Sequence, residues 1–266
     1  MIMFLFFLVS LLASALGAAC GIGGGILIKP ALDALGLADP ATASFLSGCT
    51  VLAMCLYTTT RNTVARERAV QWRAVAPLAA GAAIGGIAGK QLFQLLAGDL
   101  GFAGRAQSAC LAALTAGTLV YLLFGKPICA HKVRHPALCA LLGAALGLVS
   151  GFLGIGGGPV NLTVLFYFFG MDNKTAAQSS LAVILFSQAA ALGVTLATRS
   201  VPAFRPEVLA LMVAGGFLGG GAGRLILKKL SRTAMDRLLL FLMAAIICVC
   251  IYTFLAGWIF SSRGPI

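Results

Sequence analysis

Two glycine runs, Gly21-Ile22-Gly23-Gly24-Gly25 and Gly154-Ile155-Gly156-Gly157-Gly158-Pro159, are the stretches of this chain best suited to chemistry, and that chemistry is anion binding by bare backbone. Each lies between long apolar segments where a continuous helix would be the comfortable conformation, and so much glycine and proline opposes one. Opened backbone at membrane depth must be buried in protein or line a polar cavity, because lipid satisfies neither N–H nor C=O. Helices restarting at Ile26 and Val160 would offer unpaired N–H groups and the positive end of a helix dipole. Such ends hold anions without a charged side chain. The plainer use of the glycines is close helix crossing. A dinucleotide fingerprint is excluded, since Ile26 and Pro159 stand where its third glycine belongs, and no P-loop Lys-Ser/Thr follows either run.

The candidate ligand set is therefore the backbone of Gly23, Gly24, Gly25, Gly156, Gly157 and Gly158, with the uncharged side chains nearest them. In the second half these are Asn161, Gln178, Ser179 and Ser180, and in the first half Ser47; Thr42, Ser44, Thr50, Thr163, Ser187 and Gln188 lie in the same regions. Uncharged donors suit a small oxyanion, because they supply hydrogen bonds without trapping the ligand in a tight ion pair. Serine and threonine in membrane spans also bond their own helix, which is the plainer account of any single one. Lys90 and Arg224 stand at matching places near the ends of two spans, either lining an anion path or snorkelling to the interface.

Other chemistries lack residues. There is no HExxH, no GxSxG and no acidic cluster, and only seven carboxylates in all, so the chain reads as no enzyme. Asp33, Asp39 and Asp172 lie near segment ends, the last two as turn or cap residues, and His131 and His135 sit in a basic loop. The eight cysteines contain no CxxC pair and read as small packing residues; no metal and no cofactor is expected.

Composition decides the class. Of 266 residues 60% are hydrophobic and only 10% charged, against about 25% charged in a soluble domain, so this is an integral membrane protein built of α-helices. The net charge of +12 falls mostly in short gaps between apolar runs, a cytoplasmic-loop distribution with no solvated patch for nucleic acid. Residues 1–20 lack a basic leader region and read as structure rather than a signal peptide.

The apolar runs number five before residue 126 and five after 136, and the two sets match. Gly21 and Gly154 are 133 apart, as are Asp39 and Asp172, and Ser47 and Ser180; Gly81, Gly85, Gly89 and Lys90 lie 134 before Gly215, Gly219, Gly223 and Arg224. A duplication explains this, with repeats at 1–125 and 137–260 and a basic linker at 126–136. Residues 137–170 would make a helix of about 50 Å across a hydrocarbon core of about 30 Å, so the chain is expected to turn back at the glycines. Loops 61–73, 126–136 and 228–237 then all fall in the cytoplasm, and the odd number of elements inverts the second repeat. Inverted repeats are expected to bring the broken elements face to face near the bilayer midplane.

The motif Gly151-Phe152-Leu153-Gly154-Ile155-Gly156-Gly157-Gly158, followed after a turn by Ser179-Ser180-Leu181 and echoed in the first half, resembles the sulfite exporter TauE/SafE family over essentially the whole chain. The first half departs from the pattern: Ala18-Ala19-Cys20 precede its glycines, Ile26 replaces the proline, and Leu46-Ser47-Gly48 stands for Ser179-Ser180-Leu181. More ligand contacts are therefore expected from the second half. The resemblance implies a membrane permease for a small sulfur anion, such as sulfite or an organosulfonate like sulfoacetate, with the glycine motifs near the transport site; in an inner membrane, inverted repeats are expected to work by alternating access. Its partners would be that anion and the membrane lipids, with a coupling ion (H+ or Na+) and a homo-oligomer left open. An anion channel, or a membrane partner subunit that transports nothing, is the alternative.

Overall fold

The computed structural model describes residues 2–64, 70–96, 100–124, 133, 135–154 and 157–262. Their regular elements are ten helices: α1 Ile2–Cys20, α2 Gly25–Ala34, α3 Pro40–Val64, α4 Trp72–Leu96, α5 Leu100–Phe124, α6 Pro136–Leu153, α7 Gly158–Phe169, α8 Asn173–Ala197, α9 Pro206–Lys229 and α10 Arg232–Ser262. Six carry a stretch long and apolar enough to cross a membrane: Ile2–Cys20, Ala41–Val64, Pro136–Leu153, Asn173–Ala197, Pro206–Lys229 and Thr233–Ile251. The chain is thus an all-α polytopic membrane protein. At 10 and 12 residues, α2 and α7 extend only about 15 and 18 Å, too short to cross.

Local sequence accounts for many of the boundaries. Pro136 and Pro206 open α6 and α9, where the missing N–H costs nothing. Gly154 and Gly170, both left-handed, close α6 and α7. Asp39 accepts a hydrogen bond from the Thr42 N–H at 3.0 Å and so caps α3, the role its position predicts.

The glycine ladders set the packing. A Cβ added at Gly81, Gly85 or Gly89 of α4 would run into the carbonyls of Ala140, Ala144 and Leu148 of α6. One at Gly215, Gly219 or Gly223 of α9 would meet those of Phe7, Leu11 and Ala15 of α1. Close backbone approach between small residues is what holds helices together in lipid, where burial of apolar surface contributes little. Residue numbers rise together in both ladders, so α4 runs parallel to α6, and α9 to α1. Further along α9, Gly216 faces Thr50 and Gly220 faces Met54, so α9 runs parallel to α3 as well. Each half therefore lays its fourth helix on the first helix of the other half, and the halves are interlaced rather than stacked side by side.

Since α1 and α3 both run with α9, the short α2 between them must run back. Its Ile28 and Leu32 pack in one apolar cluster with Phe6 and Ala13 of α1 and Ala43 and Leu46 of α3. Polar contacts identify which connections share an end. At one end Thr42 Oγ1 donates to the Ala203 carbonyl at 3.2 Å, and Gln94 Nε2 to Ser200 Oγ at 2.7 Å. At the other, Arg224 Nε donates to Asn62 Oδ1 at 2.5 Å, Lys174 Nζ to the Lys228 carbonyl at 3.5 Å, and Asn173 to Asp236. Segments 37–40 and 198–205 thus lie at one end, and the close of α3 and the 228–237 connection lie at the other.

Candidate functional site

Between α1 and α2, Gly21 and Gly23 have φ of 73° and 78°; between α6 and α7, Gly154 and Gly157 have φ of 66° and 115°, and Gly158, the first residue of α7, has 59°. These are left-handed conformations that side chains resist. The candidates Gly23, Gly24, Gly25, Gly157 and Gly158 all lie in or beside these turns; Gly156 lies outside the described residues.

Each turn is seated on the third helix of the opposite half. A Cβ on Gly21 would meet Ala177 of α8, and one on Gly154 would meet the Ser44 hydroxyl of α3. Ala177 and Ser44 are themselves 133 apart, so the two seats are one contact with the halves exchanged. α3 and α8 run antiparallel: Gly48 lies against Gln188 and Leu192, while Met54 and Cys55 cluster with Leu181 and Ile184. Ser44 and Ala177 each fall in the first turns of their helices. The turns accordingly sit toward opposite ends of the α3–α8 seam. They do not meet face to face at the middle, as expected above, because interlacing carries each one to the start of the other half's third helix.

Of the expected polar side chains, Ser47 and Ser180 lie along that seam. Ser47 is one turn beyond Ser44 on the same face of α3; Ser180 lies between Ala177 and Ile184, which flank Gly21 and Gly23 on α8. Ser47, Asn161, Gln178, Ser179 and Ser180 are all buried. Among the described residues, Ser47 Oγ, Asn161 Oδ1, Gln178 Oε1, Ser179 Oγ and Ser180 Oγ have no hydrogen-bond partner. By contrast Thr50, Thr58, Thr115 and Thr195 each donate to a carbonyl of their own helix, the plainer fate of a membrane hydroxyl. Buried polar groups are normally satisfied, and each unmet one costs about 1–3 kcal/mol.

The ends of the seam differ. Beside Gly154 there is a cleft lined by Ser44, Gly48, Lys90, Gly151 and Gln188, with Phe45 and Leu192 as apolar walls. Its free volume of about 20 Å³ holds roughly one water molecule, so a sulfur oxyanion would enter only if the walls moved. Lys90 lies in this cleft, its ammonium 5.5 Å from the centre of the Phe93 ring. At the matching position near Gly21, Ala177 and Leu181 replace Ser44 and Gly48, and Arg224 is held by Asn62. Lys90 and Arg224, equivalent in sequence, are thus differently employed.

Several polar groups around the turns escaped the reading of the sequence. Ser14 and Ser150, on the helices that lead into the two turns, carry buried hydroxyls without a partner among the described residues. Lys29 of α2 is 95% buried, its relative exposure being 5%, and donates to Gln107 Oε1 and, at 3.3 Å, to the Leu153 carbonyl. Gln107 of α5 in turn donates to the Phe152 carbonyl at 2.7 Å. A lone lysine inside the apolar run 22–37 was the available signal. Among the described residues no group of His, Cys, Asp and Glu could hold a metal ion.

Comparison with known proteins places the chain in a family. The chain is similar to the Probable membrane transporter protein y4hK of Sinorhizobium fredii (strain NBRC 101917 / NGR234), at 37% identity over 93 residues, covering 34% of this chain and 36% of that protein. The matched stretch is thus about a third of that relative's length. No solved structure matches the chain. The family model described as Sulfite exporter TauE/SafE matches residues 6–250, almost from end to end, and the chain belongs to that family.

Proposed function

We propose that the protein is a membrane transporter for a small sulfur-containing anion, sulfite or an organosulfonate such as sulfoacetate. The anion would move along the α3–α8 seam between two quasi-equivalent half-sites. The observation that carries this reading is the set of buried polar groups without partners among the described residues, Ser47 near the start of α3 and Gln178, Ser179 and Ser180 near the start of α8. Groups left unsatisfied at that cost need a partner that comes and goes, and a hydrogen-bonding solute is such a partner. Asn161 and the first-turn N–H groups of α7 and α2, at Gly158 and Gly25, would add uncharged donors at the half-sites. The family and the relative's printed name favour transport over a scaffold.

In this reading residues 1–125 and 137–260 are inverted repeats joined at 126–136. Support comes from the exchanged contacts Gly21–Ala177 and Gly154–Ser44, and from the two parallel ladders of α4 on α6 and α9 on α1. The cleft beside Gly154, too small for the anion as it stands, would widen in one access state and the matching place beside Gly21 in the other, as one half rocks against the other. The basic loops 61–73, 126–136 and 228–237 would face the cytoplasm of a bacterial-type inner membrane. In whole cells, an impermeant maleimide is expected to label a cysteine at Ser200 and spare one at Lys229. Equal labelling of both would rule out this orientation.

The function is tested by thermal melting of the purified protein against sulfite, sulfate, thiosulfate, sulfoacetate and taurine, and by uptake into proteoliposomes. At least one anion should raise the melting temperature, and unlabelled anion inside the vesicles should accelerate labelled uptake. Uptake without such acceleration would indicate a channel. Absence of both stabilisation and uptake would leave a non-transporting subunit.

A further inference from the structure

We propose that Lys29 is the fixed positive charge that makes the cleft beside Gly154 fit for an anion, with Gln107 holding it in place; this deepens the transport reading and rests on it. The difficulty that Lys29 solves is electrostatic. α6 ends at Leu153, so its carboxyl terminus, with unpaired carbonyls and the negative end of its dipole, abuts the very cleft that the anion would occupy. Left alone, that end would repel the anion. Lys29 Nζ bonds the Leu153 carbonyl and Gln107 Nε2 the Phe152 carbonyl, so the last two carbonyls of α6 are capped by one cation and one amide. Gln107 Oε1 accepts from the same ammonium, closing a triangle between α2, α5 and the end of α6.

Two further observations separate this from ordinary structural polarity. At the other turn the backbone itself closes the end of α1, the N–H groups of Ile22 and Gly23 both donating to the Gly17 carbonyl at 3.1 and 3.3 Å, and among the described residues no side chain caps it. The residue 133 places after Lys29 is Leu162, almost fully buried, so the fold accepts a hydrocarbon side chain at that place in the repeat. Secondly, both hydrogen bonds of this buried ammonium go to neutral oxygens. A charge within a membrane is costly and is retained where it meets a substrate or an ion path. Asp33, one turn along α2, is the nearby carboxylate, and Lys90 approaches the Gly151–Gly154 segment from the cleft side. The two lysines therefore flank the end of α6, Lys90 exposed to the incoming anion and Lys29 behind the peptide chain.

The test compares wild type with Lys29→Gln, Lys29→Arg and Gln107→Glu in detergent, by thermal melting across a titration of sulfite, sulfate or sulfoacetate at constant ionic strength. Lys29→Gln keeps an N–H donor for Leu153 and loses the charge, so apparent anion affinity should fall at least tenfold, while Lys29→Arg should stay near wild type. Gln107→Glu neutralises Lys29 in place while giving up the donor to the Phe152 carbonyl, so whatever its basal melting temperature it should lose the anion-dependent shift. A purely structural clamp predicts the reverse, a lower basal melting temperature in Lys29→Gln with its anion response intact, and that outcome overturns the proposal. Should Lys29→Gln fail to fold, retention of the anion response by Gln107→Glu overturns it equally. If the wild type responds to none of the anions, the transport reading falls first and this inference with it.

Discussion

Gly154→Ala is expected to abolish anion uptake in proteoliposomes, with Gly157→Leu doing the same, while both proteins still reach the membrane. Two costs fall on the same atom at Gly154. Its φ of 66° is one that an L side chain adopts at a penalty of about 1–2 kcal/mol. The new Cβ would also occupy the place of the Ser44 hydroxyl in the cleft. Gly157, at φ 115°, is more constrained, and its Cβ would press on the Asn161 amide. Neither clash touches a helix ladder, so the loss should appear in transport and in the anion-dependent thermal shift rather than in yield. Retention of more than about a tenth of wild-type uptake by both variants would mean that the turn is not part of the path.

Gly85→Leu and Gly219→Leu should instead remove the folded protein. These residues are the centres of the two ladders, and what a side chain would strike there is the backbone of a partner helix, Ala144 or Leu11, which cannot turn aside as a flexible side chain can. Forcing such a pair of helices apart costs about 3 kcal/mol or more, a large share of a typical margin of about 5–15 kcal/mol. Both variants should give aggregated or degraded protein on size-exclusion chromatography, and the two should behave alike because they make the same contact with the halves exchanged. Gly117→Leu is the control, since nothing lies within 4 Å of a Cβ there, and it should purify as wild type does. A well-behaved, fully active Gly85→Leu protein would show that the parallel packing of α4 on α6 is wrong.

Much of this was written in local chemistry. That the chain is helical and lives in a membrane follows from composition alone, since so apolar a sequence has no other solvent and lipid permits no unpaired backbone. The helix ends at Cys20 and Leu153 also follow locally, from glycines whose conformational freedom and lack of a side chain act on their immediate neighbours. The offset of 133 residues pointed to equivalent pairs such as Ser47 and Ser180 without any coordinates. What it left open is which half each element would pack on. That choice depends on the register between helices separated by dozens of residues, where small faces meet only after the chain has folded back.

The tertiary structure alone decided that α4 lies on α6 and α9 on α1, and interlacing of this kind sends each glycine turn to the far half. The turns come to rest near opposite ends of the α3–α8 seam, not opposite one another. Lys29 shows the same limit most plainly. In sequence it is one charge in an apolar run, and only the approach of α5 and the end of α6 supplies the Gln107 and Leu153 oxygens that give its burial a reason. Near neighbours along the chain dictate conformation because backbone torsions are local, whereas the partner of a buried charge is set by packing between distant segments.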